Sequence, residues 1–220
     1  MGAIVGWFAD IWESIAPLFS FAAGNGSMRA AAFVRYGGAM SLGHVGWAFD
    51  YSDSEVNAGA VENPAGTMVQ AAGSDGYWDD FLLDPIPTVT LKGYQSLKYV
   101  NLEQGKPIAA YRVARWIGTK AYDVKGRNCL DDVYDVLRAY GVPELPLPSH
   151  DLLPNIWFDA FQAKLSNVAG FEWERPRMPE VNSRFARAVA RFVPATVPTW
   201  RRPGHKDYKN LQAQLAAHKQ

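Results

Sequence analysis

The chain has little cysteine and none of the common metal or nucleotide motifs. Its 220 residues contain one cysteine, Cys129, which excludes an intrachain disulfide framework and is typical of a reducing compartment. There is no CxxC pair, no HExxH motif and no glycine-rich phosphate loop, and the histidines other than His44 are scattered without ligand spacing. We therefore expect no metal ion, nucleotide or other cofactor.

A net charge of zero hides an uneven distribution of charge. Residues 171–220 hold ten Lys or Arg against four Asp or Glu, whereas residues 1–170 hold twelve against eighteen. The sequence thus predicts an acidic body followed by a basic C-terminal extension over residues 171–220. Because few aromatic residues lie among these basic side chains, we do not expect nucleic-acid binding. With 48% hydrophobic residues, the chain is long enough for one substantial core.

The first 28 residues have the pattern of an amphipathic helix. Apolar residues recur at helical spacing, namely Ile4, Trp7, Phe8, Ile11, Trp12, Ile15, Leu18 and Phe19. The segment lacks a basic leader and carries two acids, so we expect neither a signal peptide nor a membrane span. We therefore expect a cytoplasmic protein, with export by a dedicated route left open. We expect the helix to contact the catalytic domain or another subunit. A membrane-surface contact is the alternative, although the polar face has no Lys or Arg.

Cys129 stands at the start of a predicted amphipathic helix. Apolar residues follow it at steps of three and four up to Tyr140, and Gly141 with Pro143 ends the pattern. A thiol in the first turn lies near unpaired amide groups and the positive end of the helix dipole, which favour a thiolate and could hold an oxyanion. The structural alternative is a lone cysteine that serves as a small buried hydrophobic residue.

His44 opens a second informative segment, which runs from Gly43 to Tyr51 and is rich in strand-forming residues. The pattern predicts that His44 lies at the head of a strand. An imidazole held there, facing a thiol at a helix N-terminus, could accept the thiol proton and return it to a leaving group. Taken alone, His44 could equally be a structural histidine bonded to a backbone carbonyl.

These two segments resemble the two halves of a known family. Gly118-Thr119-Lys120-Ala121-Tyr122, followed by the helix of Cys129, is similar to the cysteine half of the NlpC-type papain-like peptidases, and Gly43-His44-Val45-Gly46 is similar to their histidine half. The histidine comes first here, which is the order of circularly permuted relatives such as the enzymes similar to lecithin:retinol acyltransferase. The resemblance covers roughly residues 29–150.

The resemblance implies a fold and a set of roles. The fold is α+β and papain-like, with the cysteine helix packed on a small antiparallel sheet that carries the histidine; the catalytic domain would span residues 29–170, with extra helices at both ends. Cys129 would be the nucleophile, His44 the general base, and Tyr122 part of the oxyanion and substrate site. For the third residue of the triad, on the strand after the histidine strand, we choose Asn57, with Glu62 and Gln70 as rivals.

The implied activity is that of a cysteine hydrolase, which would cleave an amide bond of a small peptide, such as a cell-wall peptide, through an acyl-enzyme. The alternative is a lipid or acyl-transfer enzyme, a thioesterase or acyltransferase that uses the same Cys-His pair. A second alternative is a binding protein that keeps the fold without turnover. The expected partner is therefore a small peptide or an acyl substrate.

Overall fold

A computed structural model of the chain describes residues 27–38, 42–63, 69–70, 76–124, 127–148, 153–174 and 192–201. The predicted N-terminal helix lies outside the described residues, as does most of the basic extension. The strands are β1 (Met28–Arg35), β2 (His44–Asp50), β3 (Val56–Val61), β4 (Val69–Gln70), β5 (Tyr77–Leu82), β6 (Ser96–Leu102), β7 (Tyr122–Asp123) and β8 (Lys164–Asn167). The helices are α1 (Ile86–Leu91), α2 (Pro107–Gly118), α3 (Cys129–Tyr140) and α4 (Pro154–Ala160), and a 3-10 turn covers Thr199–Arg201.

Six of the strands form one antiparallel sheet in the order β5-β3-β2-β1-β6-β8, while β4 and β7 pair separately. The expected α+β class is thus confirmed. Among the described residues, no helix combines the length and the apolar character needed to cross a membrane.

The sheet has a hydrophobic core on each face, because side chains alternate between the faces along every strand. Trp47 and Phe49 of β2 belong to the core that includes buried side chains of α2, α3 and α4. Ala48, between them, belongs to the opposite core, which includes α1 and Tyr94. The two faces therefore bring different parts of the chain to the strand that begins with His44.

Helix α3 has the boundaries that the sequence predicts. Its N-cap is Asn128, whose side chain accepts hydrogen bonds from the amides of Leu130 and Asp131, while the Asp131 carboxylate accepts one from the Asn128 amide in return. This is a capping box, which fixes the first turn of a helix. The helix ends at Gly141, whose φ of 108° is a left-handed conformation that glycine adopts at no steric cost.

Candidate functional site

Cys129 and His44, which are distant in sequence, interact in the structure. Cys129 is the first residue of α3, and His44 is the first residue of β2; both side chains are buried. The thiol is close enough to the imidazole that its charge raises the pKa of His44. The two elements that the sequence predicts for a thiol and its base therefore bring these groups together.

The surroundings of His44 favour its protonated form. Burial alone would lower the pKa of His44, but the charge and polar contact of Cys129, together with those of Glu62, raise it to about 9. An imidazolium is favoured between two groups that can be anionic, because each opposite charge stabilises the protonated ring. The ring can therefore hold a proton taken from the thiol.

Glu62 is the carboxylate that faces the imidazole. Its Oε2 lies 3.2 Å from Nε2 of His44, an ion-pair contact without the alignment of a full hydrogen bond. Arg35 donates to the same oxygen from Nη2 at 2.9 Å. The other oxygen, Oε1, accepts hydrogen bonds from the Tyr94 hydroxyl at 3.1 Å and from Trp78 Nε1 at 3.3 Å.

These contacts keep Glu62 ionised. Burial alone would raise its pKa, but the polar contact and charge of His44, with the charge of Arg35 and the bond from Trp78, lower it to about 2. A carboxylate that stays charged opposite Nε2 can hold one orientation of the imidazole ring, which is the role of the third member of a catalytic triad.

Asn57, the residue that the sequence favours for this role, lies on the opposite face of the sheet from His44, and the strand register gives the reason. Asn57 pairs with Phe49, so its side chain lies on the face of the sheet that carries Trp47 and Phe49. Its Oδ1 accepts from Trp47 Nε1 at 3.1 Å, and its Nδ2 donates to Asp79. His44 belongs to the other alternation face of β2. Trp47 pairs with Gly59. If this register is continued past the end of the paired residues, Glu62 lies directly opposite His44.

The remaining rival, Gln70, lies in a different place. It pairs through its backbone with Tyr122 in the two-stranded β4–β7 ribbon, and its side chain lies outside the described part of the structure. Glu62 is thus the candidate whose carboxylate is in contact with His44.

Tyr122, to which the resemblance assigns a place in the oxyanion and substrate site, is buried close to the thiol. Burial raises its pKa far above the usual phenol range, and the charge of Cys129 acts in the same direction. Its hydroxyl also has a hydrogen bond with the side chain of Asn63. Sequence reasoning missed Asn63, although it directly follows Glu62, so that two consecutive residues contact the imidazole of His44 and the phenol of Tyr122.

The first turn of α3 leaves one amide outside its cap. The amides of Leu130 and Asp131 bond to the Asn128 side chain, and that of Asp132 bonds to the Asn128 carbonyl at 3.1 Å. The amide of Cys129 is not part of this cap. The backbone N–H of Cys129, with the neutral Tyr122 hydroxyl nearby, is a donor set suited to an oxyanion.

Comparison of the chain with known protein families, curated proteins and solved structures gave no match. The chemistry of the site follows from its side chains: a thiol, an imidazole that favours its protonated form, a carboxylate that stays ionised, and a neutral phenol. Among the described residues, no group of three His, Cys, Asp or Glu side chains is arranged to hold a metal ion.

Three buried carboxylates lie on α3 within two turns of the thiol, and cations from outside the helix bind them. Arg127 pairs with Asp132. Arg201 pairs with Asp131 at 3.1 Å and with Asp135 at 2.6 Å. Burial raises the pKa of Asp135 to about 7, although Arg201 acts against this rise. These pairings limit the negative charge that would otherwise oppose a thiolate at Cys129.

Proposed function

We propose that this protein is a cysteine hydrolase of permuted papain-like fold, with Cys129 as nucleophile, His44 as general base and Glu62 as the third member of the triad. The observation that carries the proposal is the row of contacts from Cys129 to His44 to Glu62. A buried thiol with a structural role has no need of an imidazole backed by an ionised carboxylate.

The mechanism follows from the positions of these groups. His44 takes the proton of Cys129, and the thiolate attacks a carbonyl carbon to form a tetrahedral oxyanion. The Cys129 amide and the Tyr122 hydroxyl donate to that oxyanion. His44 then protonates the leaving group, and the acyl-enzyme is cleaved by a water molecule that His44 deprotonates. Since Nε2 faces Glu62, the exchanged proton is carried on Nδ1.

The substrate class that we propose first is an amide bond of a small peptide, such as a cell-wall peptide. Its support is the resemblance of the Gly43–Gly46 and Gly118–Tyr122 segments to the NlpC-type peptidases. Cleavage of such a peptide produces an amine, which leaves only when protonated, and the protonated His44 supplies that proton.

A second candidate is transfer or hydrolysis of an apolar acyl group, and a specific observation favours it. Tyr36, Leu42 and Ile156 are large apolar side chains that are 38–49% exposed. Tyr36 and Leu42 lie in the β1–β2 connection that leads to His44, and the backbone of Gly43 approaches Asn155 at the start of α4. An apolar border beside the base would suit an acyl chain. Turnover of an acyl ester that rises with added lipid vesicles would support this candidate over peptide hydrolysis.

The first test of the proposal is the alkylation rate of Cys129 as a function of pH. Because the chain has one cysteine, a single mass increase reports that residue alone. At pH 6.5 we expect the folded protein to react about tenfold or more faster than the His44→Ala variant, since an ordinary thiol is almost fully protonated there. The same chain unfolded in guanidinium is the control and should lose the advantage. Equal rates in the wild type and the variant would refute the catalytic pair and support a binding protein.

A further inference from the structure

Tyr94 occupies an unusual position among the groups that surround Glu62. It lies between α1 and β6, and its amide donates to the Val89 carbonyl at 3.1 Å, which ties its backbone to the end of α1. Its ring centroid lies 5.8 Å from that of His44, and the Arg35 guanidinium lies 5.6 Å from the ring. One buried phenol therefore approaches the imidazole, the carboxylate and the cation together.

The sheet leaves space for this phenol at one position. Gly46 lies two residues after His44, on the same alternation face of β2. A Cβ atom at Gly46 would come within 3.1 Å of the Tyr94 hydroxyl oxygen and within 2.9 Å of the Gly59 carbonyl oxygen. The absence of a side chain at Gly46 thus lets the hydroxyl reach Glu62.

The two carboxylate oxygens of Glu62 have different contacts. Oε2 faces His44 and Arg35, whereas Oε1 is held by Tyr94 and Trp78. Glu62 itself follows the last residue of β3, so the sheet ladder ends before it. A carboxylate at the end of a strand needs side-chain donors to fix its rotation, and the two bonds to Oε1 aim Oε2 at the imidazole.

We propose that Tyr94 is a positioning residue of the active site, which holds the Glu62 carboxylate against His44 with the help of Arg35. The inference rests on the proposed function, because it assigns Tyr94 a role in the reactivity of Cys129. Tyr94 acts through Glu62 and does not touch the reacting atoms.

The charge state of Tyr94 agrees with this role. Burial raises its pKa well above the usual phenol range, and the neighbouring charge of Glu62 adds to that effect. The hydroxyl therefore keeps its proton over the working pH range and remains a donor. A donor of this kind keeps an adjacent carboxylate ionised as well as oriented.

The test is a double-mutant cycle that combines Tyr94→Phe with Glu62→Gln, with the alkylation rate of Cys129 at pH 7 and the NMR titration of His44 as readouts. Tyr94→Phe removes one hydroxyl, and we expect it to slow alkylation about three- to tenfold, the effect of one lost hydrogen bond. It should also make His44 titrate at a lower pH. In the Glu62→Gln background, Tyr94→Phe should have no further effect, because the group it positions is gone.

The matched control is Tyr99→Phe, which removes a hydroxyl from a tyrosine that packs against Phe171 and Arg29 and not against Glu62. It should leave the alkylation rate unchanged. Arg35→Gln offers a second variant on a partly exposed side chain, with 31% of it accessible, and should also slow alkylation only while Glu62 is present.

The outcomes separate the two proposals. If His44→Ala slows alkylation but Tyr94→Phe does not, the positioning role is refuted and the catalytic pair stands. If the effects of Tyr94→Phe and Glu62→Gln simply add, Tyr94 acts independently of Glu62 and the inference is refuted as well. If His44→Ala has no effect, the proposed function itself fails, whatever Tyr94→Phe does.

Discussion

Three hydrogen-bond donors and the His44 imidazole surround the carboxylate of Glu62, and these contacts have a consequence for stability in acid. The pKa of Glu62 is lowered from an ordinary 4.5 to about 2, since His44, Arg35 and Trp78 outweigh the opposing effect of burial. A pKa that is lower in the folded than in the unfolded chain means that the folded protein binds fewer protons between these pH values. Glu62 therefore stabilises the fold above pH 4.5, and that contribution is lost as the pH falls toward 2.

We predict that Glu62→Gln makes the free energy of unfolding less sensitive to acid. Between pH 5 and pH 2.5, the wild type should lose on the order of 2–3 kcal/mol more than the variant, as measured by urea unfolding at each pH. Glu103→Gln, at an exposed glutamate, is the control and should follow the wild type. Parallel curves for the wild type and Glu62→Gln would mean that the contacts of Glu62 do not lower its pKa.

The sequence predicts the positions of Cys129 and His44 better than it predicts which polar side chain faces His44. The placement of Cys129 and His44 was predictable because a cap, a helix stop and a run of strand formers are local signals. The carboxylate that contacts His44 was not, because Asn57 and Glu62 lie close together along the chain, and only the strand register shows which of them faces His44. The pairing of Trp47 with Gly59 decides between them, and it depends on contacts between strands.

At the scale of elements, the capped N-terminus of α3 fixes the position of Cys129. The Asn128 side chain accepts from Leu130 at 2.9 Å and donates to the Val124 carbonyl at 3.1 Å. It therefore fixes both the first turn of the helix and the chain that enters it. Cys129 lies between these anchored groups, so that its position depends on them.

We predict that Asn128→Ala lowers the free energy of unfolding by about 1–2 kcal/mol, the usual effect of losing an N-cap. It should also slow the alkylation of Cys129, because the first turn is no longer fixed relative to His44. Asn128→Ser is the matched control, since serine caps helices about as well, and it should restore most of both quantities. If serine restored stability but not reactivity, the bond to Val124 would be the part of the cap that matters for the thiol.

Strand β1 shows why other elements could not be predicted. It is the strand between β2 and β6, and seven of its eight residues are buried, including Ala30, Ala31 and Ala32. A strand that is covered on both faces has no alternation of polar and apolar residues, and alanine is not a strong strand former. Its assignment comes from its neighbours in the sheet, which the residues of β1 do not encode locally.

At the scale of the whole molecule, a C-terminal strap, residues 192–201, links two helices. Arg115 donates to the Val193 carbonyl at 3.2 Å, and Arg112 donates to the Pro194 carbonyl at the same distance, so one end is held by α2. At the other end, Trp200 is buried with its ring 4.9 Å from that of Tyr134 on α3. The strap thus holds α2 and α3 together on one face of the sheet.

Arg201 completes the strap by binding two carboxylates of α3. It is the cation beside Asp135, which is fully buried, and beside Asp131, which is also part of the capping box of α3. The basic excess of the C-terminal residues and the acidic excess of the body, which are evident in the sequence, meet in this contact. Which arginine meets which aspartate could not be predicted, because the contact joins residues about seventy positions apart.

We predict that Arg201→Met destabilises the protein by about 2–4 kcal/mol in guanidinium unfolding, because it leaves buried carboxylates without their cation. The double variant Arg201→Met with Asp135→Asn should recover part of this loss, since the most buried of the two charges is then absent. Phe192→Ala, in the same strap but 84% exposed, is the control and should change stability by less than about 0.5 kcal/mol. If Asp135→Asn brought no recovery in the Arg201→Met background, the loss would come from the contact of the guanidinium with the Trp200 ring and not from its pairing with Asp135. If the double variant recovered stability and its Cys129 also reacted faster than in Arg201→Met, the contact between Arg201 and Asp135 would be shown to influence the electrostatic environment of the thiol.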